Sequence, residues 1–138
     1  MLVVVTMLIT YYHANHLAGI KRAKFISMRN RIGWQDKVQI HHIIPKQFQT
    51  HPALLDFDDF DINDGQNFMF LPTLLGRESL FTFRPNHDGG HPAYNRYVGT
   101  LLDQLNRTKP EPGEPGELKV LIRRLRQSLR HEPDVPWK

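Results

Sequence analysis

The 138-residue sequence predicts an α+β fold: two short strands and a helix, flanked by further helices at the N- and C-terminal ends. Three observations carry that expectation. Short β-prone runs lead into His42 and again span Phe68 to Pro72, and each is closed by a proline, which cannot donate to a sheet ladder. After a glycine-rich loop, Tyr94, Val98, Leu101, Leu102 and Leu105 recur at three-and-four spacing, which predicts an amphipathic helix from Pro92 to about Asn106. Leu118, Leu121, Ile122, Leu125 and Leu129 repeat that period and predict a last helix from Glu117 to Arg130. Its Lys119, Arg123, Arg124, Arg126 and Arg130 are expected to face solvent.

A chain of this length holds one domain, and 40% hydrophobic residues suffice for an ordinary core. There is no cysteine, which excludes disulfides, thiolate-held metals and cysteine nucleophiles. A metal here would rest on His, Asp, Glu or Asn. The formal charge of +4 favours anionic partners such as nucleic acid or an acidic protein. Eight histidines are many for so short a chain, and their clustering is the compositional feature to explain.

From the start, Met1 to Tyr12 is apolar but shorter than the roughly 20 residues that span a bilayer. With no leading charge it does not read as a secretory signal, so a core helix or buried strand is expected and no membrane partner. Thr10 to Ile32 is mixed and basic, which predicts a short helix ended near Gly33. Lys21, Arg22, Lys24, Arg29 and Lys37 are candidate nucleic-acid contacts, against the plainer alternative of a solvated helix face. In the strand that follows, Val38 and Ile40 alternate with Lys37, Gln39 and His41. His41 therefore lies opposite to Ile40 and His42, and the adjacent histidines suit two different tasks.

Lys46 to Asn67 has no sustained period; Phe48, Leu54, Leu55, Phe57 and Phe60 are expected to anchor a compact loop with a helical turn after His51-Pro52. Its acids Asp56, Asp58, Asp59, Asp61 and Asp64 lack the spaced glycine and final Glu of a calcium loop and read as solvated. Pro92 suits a first helical position, which puts His91 at the N-cap side. Three prolines and two glycines make Lys109 to Gly116 a linker. The organisation is an N-terminal helical and basic extension over 1–36, a core over 37–108, the linker over 109–116 and a basic amphipathic helix with its tail over 117–138. His13, His16, His51 and His131 are expected to be structural, and Tyr94 a core aromatic.

A strand pair packed on a helix can bring His41 and His91 together. Imidazoles ligate several transition metals, and two or three of them leave positions open for water and substrate, as a catalytic ion requires. His42, with an ordinary histidine pKa of about 6.5, suits a general base near neutral pH.

Three blocks then agree in order, spacing and residue type with one family. His41-His42-Ile43-Ile44-Pro45, Asn67-Phe68-Met69-Phe70-Leu71-Pro72, and His-x-x-x-His-Pro-x-Tyr from His87 to Tyr94 resemble the AHH nucleases of the HNH/endonuclease VII superfamily, over roughly His41 to Leu105. The resemblance implies a small ββα-metal (His-Me finger) core and an endonuclease that uses one divalent ion, Mg, Mn, Ni or Zn. DNA is the implied substrate, with RNA as the alternative and little base specificity. By the resemblance His41 is a metal ligand, His42 the base, and Asn67 orients the base or fixes the loop. His91 with His87 forms the ligand pair at the helix. Ile40 stands where this branch has Ala, Gly or Pro. AHH domains often form the toxin ends of bacterial effectors, which implies an immunity protein as partner in that setting and delivery into a target cell; related nucleases also occur in viruses, and the alternative expectation for this chain is a free-standing intracellular nuclease. The competing readings are a nuclease scaffold without turnover, acting as a nucleic-acid-binding or structural module, and a metal site that merely staples the fold.

Overall fold

The computed structural model describes residues 19–57, 60–108 and 116–138. The apolar Met1 to Tyr12 segment, His13, His16 and nearly all of the expected linker lie outside the described residues. The first helix, α1, spans Arg22–Arg31, starts at Lys21 without a side-chain cap and buries only Phe25. It stops as expected at Gly33, which takes a left-handed φ of 74° and donates its N–H to Asn30 O at 3.1 Å.

Strands β1, Val38–His42, and β2, Phe68–Pro72, pair antiparallel, with Val38 opposite Pro72 and His42 opposite Phe68. Alternation sends Ile40 and Phe68 to one face, where they pack with Phe25 of α1. The Phe25 and Phe68 rings meet edge-on at 5.4 Å. His41, Met69 and Leu71 face the other side, the main core, built with Tyr94, Val98 and Leu102. A two-stranded sheet this short is not stable alone, so cover on both faces is what holds it.

The outer edge of β2 is closed by two arginine side chains and one backbone N–H. Its carbonyls alternate with those bonded across to β1 and need donors. Arg126 bonds the carbonyls of Gln66 and Phe68, Arg84 Nη1 donates to Phe70 O at 2.8 Å, and His87 N donates to Pro72 O at 2.7 Å. Arg126 is thus a correction to the solvent-facing position expected of it: it is 6% exposed. Its guanidinium is drawn inward by an edge of unpaired carbonyls that water does not reach. Burial, then the neighbouring Arg130, lowers Arg84 and Arg126 to about 10, which leaves both charged at neutral pH.

In the loop between the strands, α2 spans Pro52–Leu55, with His51 as its N-cap: Nδ1 accepts from Ala53 N at 3.1 Å. The loop acids bond to the chain around them. Asp64 accepts from Gly19 N and Gln66 N, and Asp61 from Asn63 N and Lys21 Nζ. A helix that the sequence reading did not anticipate, α3 at Leu74–Leu80, follows β2, capped by Thr73 and seated on the backbone of Lys37 at Gly76. The helix at Pro92–Arg107, α4, buries Tyr94, Val98 and Leu102, as its period requires. The last, α5, spans Gly116–Ser128, two residues short of the expected end, yet Leu129 is still buried. Beyond it Val135 and Trp137 return to the main core. No helix among the described residues is long and apolar enough to cross a membrane.

Candidate active site

His41 projects from β1 toward α4 and is only 1% exposed. His87 comes from the loop after α3, and His91 directly precedes Pro92 at the start of α4. The three rings form a near-equilateral triangle, with centroids 5.1, 5.0 and 5.2 Å apart. One nitrogen from each lies within 4.8 Å of the others, a spacing that can hold a metal ion.

Hydrogen bonds decide which nitrogens are free. His87 Nδ1 is 2.8 Å from Gln39 Oε1, and His91 Nδ1 is 2.9 Å from Asn95 Oδ1. An amide oxygen only accepts, so each Nδ1 carries the proton and each Nε2 keeps its lone pair. His41 Nε2 is buried without a hydrogen-bond partner among the described residues. An unsatisfied buried nitrogen is costly, and a cation held by three imidazoles would satisfy it. The residues therefore fit a metal, and the donor set is all nitrogen. Burial is the main reason that His41 is held well below the usual histidine range, followed by the nearby His87, His91 and His42. His87 is lowered too, by burial first and His91 second. Both are kept in the neutral form that a metal requires.

Trp137 walls the triangle, its ring 4.6 Å from that of His91 and 5.4 Å from that of His41. Its indole N–H donates to Asn86 O at 2.8 Å, and its own carbonyl accepts from Tyr94 N. Tyr94 is fully buried, 5.3 Å from the His41 ring, and its hydroxyl donates to Ile43 O at 2.5 Å.

His42 faces away from the triangle, half-buried, with its ring 4.8 Å from that of Phe68. Its Nε2 is 3.2 Å from Asn63 Oδ1. By the same acceptor argument Nε2 carries hydrogen, and Nδ1 is left as the basic atom. His42 is lowered by burial foremost; the Asn63 bond opposes that shift, and the cations Lys46 and Arg22 add to it.

Asn67 is wholly buried. Its Oδ1 accepts from Ile44 N at 2.7 Å, and its Nδ2 donates to Ile44 O and Ile62 O, each at 3.0 Å. These bonds clamp the long loop to the exit of β1, and the described bonds of Asn67 do not include His42. Among the basic candidates, Lys21 pairs with Asp61 at 3.0 Å. Arg22 and Lys24 are exposed on α1, while Arg29 and Lys37 are half-buried.

Sequence reasoning missed five residues of this neighbourhood: Gln39, Asn63, Asn95, Lys46 and Trp137. Two had a readable signal, since Gln39 shares a strand face with His41 and Asn95 lies four residues along a helix from His91. The other three had none. No curated protein and no solved structure matches the chain. A family model, described as a nuclease family of the HNH/ENDO VII superfamily with conserved AHH, matches residues 22–125. That span runs from α1 into α5 and contains the whole histidine triangle, His42 and Asn67. A nucleic-acid substrate follows from that membership: the chain belongs to the AHH nuclease family of the HNH/ENDO VII superfamily.

Proposed function

We propose that this nuclease is a metal-dependent endonuclease that hydrolyses phosphodiester bonds of DNA, with His42 as general base and His41, His87 and His91 as ligands of one divalent ion. The observation that carries the reading is the division of the four histidines. Three converge on one another, and the fourth faces the other side of the strand, with Nε2 on Asn63 and Nδ1 as its basic atom. When bound, the ion would supply charge stabilisation at the scissile phosphate and leaving oxygen. Three imidazoles suit zinc or nickel better than magnesium, which prefers oxygen donors.

His42 Nδ1 takes a proton from the attacking water while Nε2–H stays bonded to Asn63. Because its pKa is lowered, His42 is neutral and able to accept at neutral pH. Arg22 and Lys46, close enough to depress it, meet the phosphates on either side, with Lys24, Arg29 and Lys37 extending the basic surface. Asn67 supports the site by holding Ile44 and Ile62 in place.

The test is plasmid cleavage with magnesium, manganese, nickel or zinc, wild type beside His42→Ala. Loss of the base is expected to slow cleavage by about 10²–10⁴. Equal cleavage by both proteins, or none by wild type with any metal, refutes the proposal.

A further inference from the structure

A groove of about 580 Å³ opens between the turn at Lys46–Phe48 and the exposed side of α4. We infer that it is a nucleotide subsite, which takes the nucleotide flanking the scissile phosphate and favours a base with an exocyclic amine. This rests on the nuclease reading above and adds a base preference to it.

The groove is joined to the histidine triangle by one side chain. Asn95 holds His91 through Oδ1 and donates Nδ2 to Gln47 Oε1 at 3.2 Å, and both amides line the groove. With its oxygen taken, Gln47 keeps its amide N–H groups to donate. Phe48 supplies an aromatic wall of the kind on which bases stack. The ring lies close against α4 at Gly99, where a Cβ would come within 3.1 Å of it and the ring would have to give by a few tenths of an ångström.

The two ends of the groove differ in charge. Asn95, bonded to His91, and the exposed Arg96 after it stand near the N-terminal end of α4. Asp103 stands about 10 Å further along the helix axis, at 1.5 Å per residue, with Thr100 between. A nucleotide has the matching polarity, an anionic phosphate at one end and a hydrogen-bonding base edge at the other. Asp103 is fixed by His51, whose Nε2 is 2.8 Å from Oδ1 and whose Nδ1 caps α2. A carboxylate only accepts, so it suits adenine, cytosine or guanine, which present an exocyclic NH₂, better than thymine, whose single edge donor, N3–H, lies between two carbonyl oxygens that the carboxylate repels.

The experiment titrates the metal-free full chain with dAMP, dCMP, dGMP, dTMP and inorganic phosphate, following the NMR signals of Thr100 and of the Gln47 and Asn95 side-chain amides. No turnover is needed, so failure of the nuclease reading would show separately in the plasmid assay. The amine-bearing nucleotides are expected to shift these signals and to bind severalfold more tightly than dTMP. Thr100→Trp, a substitution on the exposed helix surface that fills the groove, is expected to abolish the shifts. Asp103→Asn places a donor beside the base and is expected to reverse the preference toward dTMP. Cleavage of oligonucleotides with active metal-loaded protein is expected to show the same preference at the nucleotide next to the cut. Identical responses to all four nucleotides, shifts produced equally by inorganic phosphate, or undiminished binding by Thr100→Trp would overturn the inference.

Discussion

His41 shows how one side chain is committed to a task by what it lacks. Its Nε2 is buried with no hydrogen-bond partner among the described residues, and its burial, with three other histidines around it, disfavours the cation. His87 and His42 are lowered in the same direction, burial being the first cause in each. Above the ordinary histidine value of 6.5 these groups are neutral in both the folded and the unfolded chain. As the pH falls below 6.5 the unfolded chain takes up protons that the folded one refuses, so stability declines through that window toward the lowered folded values. Urea unfolding of the metal-free protein should give a lower midpoint at pH 5.5 than at pH 7.5; equal midpoints would contradict the linkage. At His42 the relevant neighbour is Asn63, whose own N–H is held by Asp61, which in turn pairs with Lys21. The proton on His42 is thus located through a chain of contacts that begins at the foot of α1. Ile40, where the AHH branch has a smaller residue, fills the space under Phe25 and Phe68 on the face away from the triangle. Its bulk leaves the histidine side of the strand untouched.

At the scale of elements, the sheet is short, and what surrounds it sets its register and edges. Helix α3 sits so close to the entry of β1 that a Cβ on Gly76 would lie 1.7 Å from Lys37 O. Thr73 reinforces the contact, with its N–H on Lys37 O at 2.9 Å and its hydroxyl on Asp36 O at 2.7 Å. Gly76→Ala must push helix and strand apart and is expected to cost about 1–3 kcal/mol, the usual penalty of overpacking. Gly90, where a Cβ meets nothing nearer than 4.0 Å, is the control. Gly90→Ala is expected to be neutral or to stabilise by about 0.4–1 kcal/mol through the unfolded chain. Thermal midpoints of the two variants decide the matter, and an undisturbed Gly76→Ala would rule out so close a packing. Helix α5 contributes in two ways, with leucines for the main core and Arg126 for the carbonyls at the edge of β2.

Across the whole molecule the histidine triangle ties together three segments, β1, the loop after α3 and the start of α4, with Trp137 closing over them from the C-terminal end. An ion that binds this folded arrangement and not the unfolded chain raises stability by mass action, about 2.7 kcal/mol at a hundredfold excess over Kd. Zinc or nickel is therefore expected to raise the thermal midpoint and a chelator to reverse it. In a Trp34→Phe background, nickel is expected to quench the emission of Trp137; unchanged emission and midpoint would show that the triangle takes no metal. The sequence by itself determined the strand limits, the opposed faces of His41 and His42, the span of α4 and the membership of His87 and His91 in one block. Those features depend on period and on neighbours a few residues away, which are local properties of the chain. Only the tertiary structure decided which nitrogen of each histidine is free, that Asn63 partners His42, that Arg126 lies inside and that Trp137 covers the triangle. Apart from the His91–Asn95 bond, which spans four residues of one helix, each of these depends on a donor meeting an acceptor, or a ring meeting a ring, across 21 to 96 residues of chain, as in the contacts His42 to Asn63 and His41 to Trp137. No periodicity encodes such meetings; they exist only once both faces of the sheet are packed.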